Sequence, residues 1–452
     1  MRTRRTVVAR RAAGHADWLA RAVSEQPSPV DPDSGSRRPS LPVRVKGASG
    51  VSRRQLLGTA GATGMLLGGA AGVAGHAAAA PGNVTPLTAL GSDRSPFHGT
   101  YQSGITSELQ SRGHLLSFDL TAGAGRREAA ALMRRWSATA ARLMAGGPAG
   151  DGNTDVARDA GPSSLTVTFG FGHSFFDRTG LQHRRPRALD PLPDFSSDRL
   201  DKARSNGDLW VQIGANDALV AFNAMRVIQR NAGSAARVRW QMSGFNRSPG
   251  ATARPMTARN LMGQIDGTRN PRPGDDSFGR SVFVPADGEP DWMANGSYVV
   301  VRRIRMLLDD WEKLSRGDQE KVIGRRKSDG APLTGGTETT AMELEKTDAD
   351  GNLVVPINAH ARVSRPDYNQ GATMVRRMFS YHDGHDEDGT PDAGMLFLCW
   401  QADPLRGFVP VQRHLDRGDA LSQYIRHEAS GLYAVPGGAA DGEYVGQRLL
   451  EA

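Results

Sequence analysis

The chain has 452 residues, of which 38% are hydrophobic and 23% charged, and its formal net charge is +8. A single core rarely serves more than about 250–300 residues, so the chain is long enough for two core-bearing domains plus tails. Residues 1–80 carry 12 Lys and Arg against 4 Asp and Glu, which accounts for the whole net charge; the neutral remainder argues against a nucleic-acid partner.

Residues 1–50 alternate arginine clusters with Pro, Ser and Gly without a sustained apolar period, and are read as a disordered extension. Ser52-Arg-Arg-Gln-Leu-Leu57 follows, then a weakly apolar stretch with seven glycines between Gly58 and Gly75, then Ala77-Ala-Ala-Ala80. Residues 51–80 therefore resemble a twin-arginine signal peptide, with cleavage near Ala80-Pro81. A membrane anchor needs roughly 20 strongly apolar residues, which this segment lacks. The reading implies the twin-arginine (Tat) export machinery as a partner and an extracellular, cell-envelope or periplasmic destination. Residues 81–94 read as a linker. The single cysteine, Cys399, lies in the apolar run Gly394–Trp400 and permits no intrachain disulfide, so the core alone must supply stability.

From residue 95 the chain predicts an α+β fold. Leu115–Leu120 reads as a strand, Arg126–Ala145 as a helix, Leu165–Gly172 and Leu209–Ile213 as strands, Ala218–Arg230 as a helix and Arg237–Met242 as a strand. Strand, helix, strand, strand, helix, strand is a ferredoxin-like unit, assigned to residues 95–250. Residues 251–445 are expected to repeat it, with a strand at Gly296–Met306, a helix at Leu307–Gly324, a strand at Gly394–Gln401 and a helix at Asp419–Glu428. A long insertion, Arg325–Ser380, separates that first helix from the next strand. Two ferredoxin-like halves facing one another is the expected architecture.

The chemistry gathers in the second half. Asn260-Leu-Met-Gly-Gln-Ile-Asp-Gly-Thr-Arg-Asn-Pro271 sets one carboxylate, Asp266, between Gly263 and Gly267, where bare backbone lets a flat ligand approach. About a hundred residues on, Asn358-Ala-His360 sits between a β-like run and a polar turn, so an imidazole projects from fixed backbone as axial haem ligands do. Arg376-Arg377 opens a further strand, and alternation lets only one of the pair face inward. His382-Asp-Gly-His385-Asp-Glu-Asp388 has metal-ligand residue types, but its glycine and acids favour a surface loop. Gly170-Phe-Gly172 lacks the spacing of a phosphate-binding fingerprint and is assigned to a bulge.

The ordered set Phe97-His-Gly99, Asn260–Thr268, Asn358-Ala-His360, Arg376-Arg377, Gln401-Ala-Asp-Pro404 and Ile425-Arg-His-Glu428 resembles the dye-decolorising (DyP-type) haem peroxidases, in particular their twin-arginine-exported bacterial branch. The resemblance covers essentially residues 95–440. It implies a dimeric α+β barrel carrying haem b in the second half, with His360 as the iron's axial ligand, Asp266 as the acid–base group and Arg376 as the cation above the iron, Arg377 staying open. It further implies that Gly267, Thr268 and Arg269 line the haem, that Arg365 pairs with a propionate, that Phe397 forms part of the distal wall and that Asp403 bonds the proximal imidazole. The implied reaction is reduction of hydrogen peroxide with oxidation of a bulky organic, dye-like or phenolic reductant, electrons travelling through surface aromatics for which Trp292, Trp311 and Trp400 are the candidates. The alternative is a haem-binding or iron-release component of an exported iron-acquisition system, with iron-uptake partners. The sequence does not decide between a monomer and a homo-oligomer.

Overall fold

The computed structural model describes residues 91–148, 155–252 and 256–452. The extension, the signal-peptide reading and the linker up to residue 90 lie outside the described residues. In the first half, β1 (Arg112–Leu120), α1 (Arg126–Met144), β2 (Thr166–Gly172), α2 (His173–Thr179), β3 (Leu209–Ala215), α3 (Ala218–Ala232) and β4 (Ala236–Phe245) follow the expected order. The second half holds α4 (Phe278–Val282), β5 (Ser297–Met306), α5 (Leu308–Glu312), α6 (Arg316–Ile323), α7 (His360–Val363), β6 (Val375–His385), β7 (Pro391–Gln401), α8 (Phe408–Gly418), β8 (Ile425–Val435) and α9 (Gln447–Leu450).

Within each half the strands lie in the same antiparallel order, β4-β1-β3-β2 and then β8-β5-β7-β6, which is the ferredoxin-like arrangement twice over. The halves join where β2 meets β8 and β4 meets β6, closing an eight-stranded barrel. These seams are short: Phe171↔Ala434 and Gly172↔Tyr433 on one side, Phe245↔Ser380 on the other. Side chains reinforce the second seam, because Asn246 Nδ2 donates to the Met378 carbonyl at 2.8 Å. The Phe379 ring also fits only because Gly113 and Gly244 lack side chains; a Cβ at Gly113 would stand 2.6 Å from that ring.

Strand alternation sorts the residues. Leu115, Trp210, Val299, Val301, Phe379, Tyr381, Leu396, Leu398, Trp400 and Tyr433 pack together inside the barrel. Outside the first half, α1 and α3 cover the sheet. Their ends are set locally: the Glu128 carboxylate accepts from the Gly125 N–H, and Asp217 accepts from the N–H groups of Leu219 and Val220. Trp136 is fully buried between α1, α3 and the sheet, stacks on Phe169 and donates to the Ile228 carbonyl; truncating such a side chain costs about 3–5 kcal/mol.

The second half departs from the expected elements in four places. The helix expected over Leu307–Gly324 is two short helices, because Ser315 caps α6 through the Asp318 N–H and so interrupts the run. Strand β6 begins at Val375, so the insertion ends at Met374. His382 and His385 form the exposed end of β6 and Asp386–Asp388 the exposed turn that follows, so the expected loop is shorter; among the described residues no cluster of His, Cys, Asp and Glu is placed to hold a metal ion. The stretch Asp419–Glu428 is not a helix: a 3-10 turn at Ala420–Gln423 leads straight into β8, and the helix is α8, which carries Pro410 in its first turn. Pairing with β5 along most of β8 outweighs the local helical composition.

Candidate active site

The outer face of the second sheet is built differently from the first. Arg302, Ile304 and Met306 of β5, Arg376 of β6, Met395 and Phe397 of β7 and His427 of β8 point outward into a cavity of about 370 Å³. A bulge where β5 and β8 change register, between Arg303 and Ile304, turns His427 to this face. Loops supply the opposite walls: residues 260–269 on one side, and α7 with the α8–β8 connection on the other.

Asp266 is held by its own loop. Its N–H donates to the Ala258 carbonyl at 2.8 Å, and Asn260 Nδ2 donates to Oδ2 at 3.1 Å. The Asn260 amide oxygen accepts from the N–H groups of Met262 and Gln264, closing the turn. Gly267 has φ +120°, a backbone conformation closed to side chains, and Gly263 has φ +77°. The other carboxylate oxygen, Oδ1, faces Arg376 Nη1 at 3.8 Å. Arg376 is fixed by Nη2 donating to the Thr268 carbonyl at 2.9 Å, while Asn270 exchanges two hydrogen bonds with its backbone, at 2.7 and 3.0 Å. Asn270 thus imitates a neighbouring strand and ties the Asp266 loop to β6.

Parity separates the two arginines. Arg377 points to the other face of β6, fully buried, where it donates to the carbonyls of Ser107 and Glu108 and to the Gln110 side chain; burial lowers its pKa to about 10. Arg376 alone faces the larger cavity. A smaller cavity of about 260 Å³, lined by Ile105, Leu109, Pro271, Phe278 and Arg377 among others, reaches Asp266 and Arg376.

His360 opens α7 on the far wall. Its Nδ1 lies 2.8 Å from Asp419 Oδ2, while Asp419 Oδ1 caps the turn by accepting from the Leu421 N–H. Burial pulls the imidazole pKa down, but the Asp419 charge and hydrogen bond outweigh it, so the pKa is raised. A carboxylate at Nδ1 favours the proton there, which leaves Nε2 with a lone pair able to coordinate a metal. Asp403, expected in this role, instead accepts from the Leu405 N–H at the turn before α8.

The remaining expected residues, Gly267, Thr268, Arg269, Arg365 and Phe397, all line the cavity. The Thr268 hydroxyl, however, turns to Glu338 of the insertion at 2.9 Å. Arg325, absent from the sequence-based set, also lines the wall. Burial lowers its pKa, and the charges of Arg269, Arg365 and Arg376 lower it further. At the inner end Arg302 pairs with Asp198 from the first half, and His427 Nδ1 lies 3.3 Å from the same carboxylate. The three tryptophans expected to carry electrons at the surface are each buried, though Trp311 meets the half-buried Tyr424 edge-on at 5.4 Å.

Residues 102–246 match the family model described as Dyp-type peroxidase, N-terminal, and residues 257–440 match Dyp-type peroxidase, C-terminal. The chain belongs to the Dyp-type peroxidase family. A dye-decolorizing peroxidase of Thermobifida fusca is 42% identical over 89% of this chain and 98% of its own length. A deferrochelatase of Escherichia coli K12 is 34% identical, with the same coverage. Among solved structures, ferric DtpA from Streptomyces lividans shares 78% identity with a TM-score of 0.80, covering 81% of this Dyp-type peroxidase and all of that chain. A DyP-type peroxidase from Cellulomonas bogoriensis shares 41% identity with a TM-score of 0.77, covering 80% of this chain and 99% of the other.

Proposed function

We propose that this Dyp-type peroxidase binds haem b in the 370 Å³ cavity and reduces hydrogen peroxide at the expense of a bulky organic reductant. The observation that carries the reading is the opposition of two sets of groups across one cavity: His360 with its Nδ1 committed to Asp419, and Asp266 beside Arg376.

The walls fit the cofactor. Ile304, Met306, Met395 and Phe397 offer an apolar bed, and Arg269, Arg325, Arg365 and Arg376 gather positive charge where a planar group with two carboxylates needs it. Arg365 Nε and Gln264 Nε2 are buried without a protein partner and are available to such a ligand. His360 Nε2 would hold the iron, and Arg365 a propionate.

When bound, haem supplies the redox centre at which the peroxide O–O bond is cleaved. Asp266 accepts a proton from the incoming peroxide and returns it to the departing oxygen, which leaves as water. Asn260 holds Oδ2, so Oδ1 is the oxygen turned toward Arg376. The Arg376 guanidinium stabilises the negative charge that develops as the bond stretches. The smaller cavity, of about 260 Å³, offers hydrogen peroxide an approach to Asp266.

The same reading takes residues 51–80 as a twin-arginine signal that exports the folded protein, on the strength of Arg53-Arg54 and the glycine-rich stretch after them. Replacing both arginines by lysine should retain the protein in the cytoplasm; unchanged export would remove this part. The enzymatic part is tested by supplying haem to residues 81–452 and mixing with hydrogen peroxide in a stopped-flow cell. A rapid Soret change that a bulky dye reverses is expected. A stable haem complex inert to peroxide would instead favour the iron-acquisition role and its iron-uptake partners.

A further inference from the structure

Five of the twelve methionines among the described residues line the large cavity: Met262, Met306, Met342, Met374 and Met395. Three of them, Met262, Met306 and Met395, pack into one cluster with Trp311, and all three are buried, at 3%, 3% and 7% exposure. Met262 belongs to the loop that holds the acid–base group: the Asn260 side chain accepts from the Met262 backbone N–H and donates to Asp266 Oδ2. Leucine fills such a wall with better-defined packing; a thioether adds a polarizable sulfur that a peroxide oxidises.

We propose that Met262, Met306 and Met395 are a built-in two-electron sink, oxidised to sulfoxides by hydrogen peroxide activated at Asp266 and Arg376 when no organic reductant arrives. The proposal rests on the peroxidase reading of the cavity. In each event the thioether sulfur gains one oxygen atom and loses two electrons, while the peroxide gains them and its other oxygen leaves as water. No further reductant is needed, and sulfoxide reductases can reverse the product. Each event makes an apolar wall polar, so repeated firing loosens cofactor packing before the remaining side chains are attacked.

The structure provides its own reference, because Met256 is 43% exposed and stands nearby in sequence but outside the cavity lining. Free peroxide attacks methionines in order of exposure, so Met256 should be oxidised first in the haem-free chain. In the haem-loaded chain, pulsed with peroxide and no dye, peptide mass spectrometry should find the added oxygen on Met262, Met306 or Met395 before Met256. Adding a dye should suppress it. Asp266→Asn should slow oxidation of the three cavity residues at least tenfold and leave Met256 unchanged. Oxidation of Met256 first in a haem-loaded chain whose Soret band does respond to peroxide would overturn the sink. A Soret band that does not respond would instead overturn the peroxidase reading beneath it.

Discussion

Asp419 offers the sharpest test of how the cofactor is held, because its two carboxylate oxygens do separate jobs. Oδ2 meets His360 Nδ1 at 2.8 Å and Oδ1 caps the turn at the Leu421 N–H at 3.0 Å. Asp419→Asn keeps an oxygen for one of these contacts but removes the charge. A hydrogen bond to a charged group contributes about 1.5–3 kcal/mol and a neutral one about 0.5–1.5, so the loss is about 1–1.5 kcal/mol. That is roughly tenfold in haem retention, the low end of the 10–100-fold range for partners of metal-bound histidines. Asp419→Ala also removes the cap, a further cost of about 0.5–2 kcal/mol that should appear in the stability of the haem-free protein. The assay is haem transfer to excess apomyoglobin followed at the Soret band, with thermal unfolding of the haem-free chains alongside. If Asp419→Asn transferred haem at the parent rate with an unaltered Soret band, the carboxylate would not be setting the imidazole tautomer.

Asp266→Ala and Arg376→Leu should each retain haem and slow the peroxide-induced Soret change by about a hundredfold or more, whereas His360→Ala should fail to retain haem. Arg377→Leu should act mainly on stability, denaturant titration showing a loss of about 2–4 kcal/mol from the buried acceptors it abandons, with a smaller effect on the peroxide step than Arg376→Leu. Gly267→Ala forces a side chain onto φ +120° and should cost about 1–3 kcal/mol with slower peroxide reaction, measured by the same titration and stopped-flow assays. His114 sets a pH dependence: burial lowers its pKa to about 4, so the folded state resists a proton that the unfolded chain accepts near pH 6.5. Stability should therefore be full above about pH 6.5 and fall as pH drops toward 4, by at most about 3 kcal/mol and by less because solvent reaches part of the ring. His114→Gln should flatten that slope in urea titrations between pH 7 and 4.

Much of this was legible in the residues. Period-two and helical patterning placed seven strands and the two long helices of the first half, and the spacing of Asp266 and His360 marked both walls of the cavity. The choice between Arg376 and Arg377 was not legible, because adjacent residues on a strand differ only in parity, and parity follows from the pairing of β6 with β7. Asp419 was hidden for another reason: its partner lies 59 residues away, and nothing local distinguishes a carboxylate that caps a turn from one that also holds an imidazole. The break between α5 and α6 did leave a trace, since Ser315-Arg-Gly-Asp318 is a helix-start signature inside what otherwise reads as one helix. The displaced helix near residue 420 shows the opposite case, local composition overruled by ten residues of pairing with β5.

The doubled topology gives the molecule two equivalent outer faces that it furnishes in different ways. On the first, α1 and α3 lay down Trp136, Leu132 and Ile228 as a permanent covering. On the second, α5, α6 and α7 are short and a cavity, walled on one side by α8, lies against the sheet instead. If the cavity takes haem as proposed, the cofactor would stand where the first half has a helix, and loading should stiffen the second half while leaving the first unchanged. Hydrogen exchange before and after loading would divide along the two seams, with protection rising in β5–β8 and α7 while α1 and α3 stay as they were.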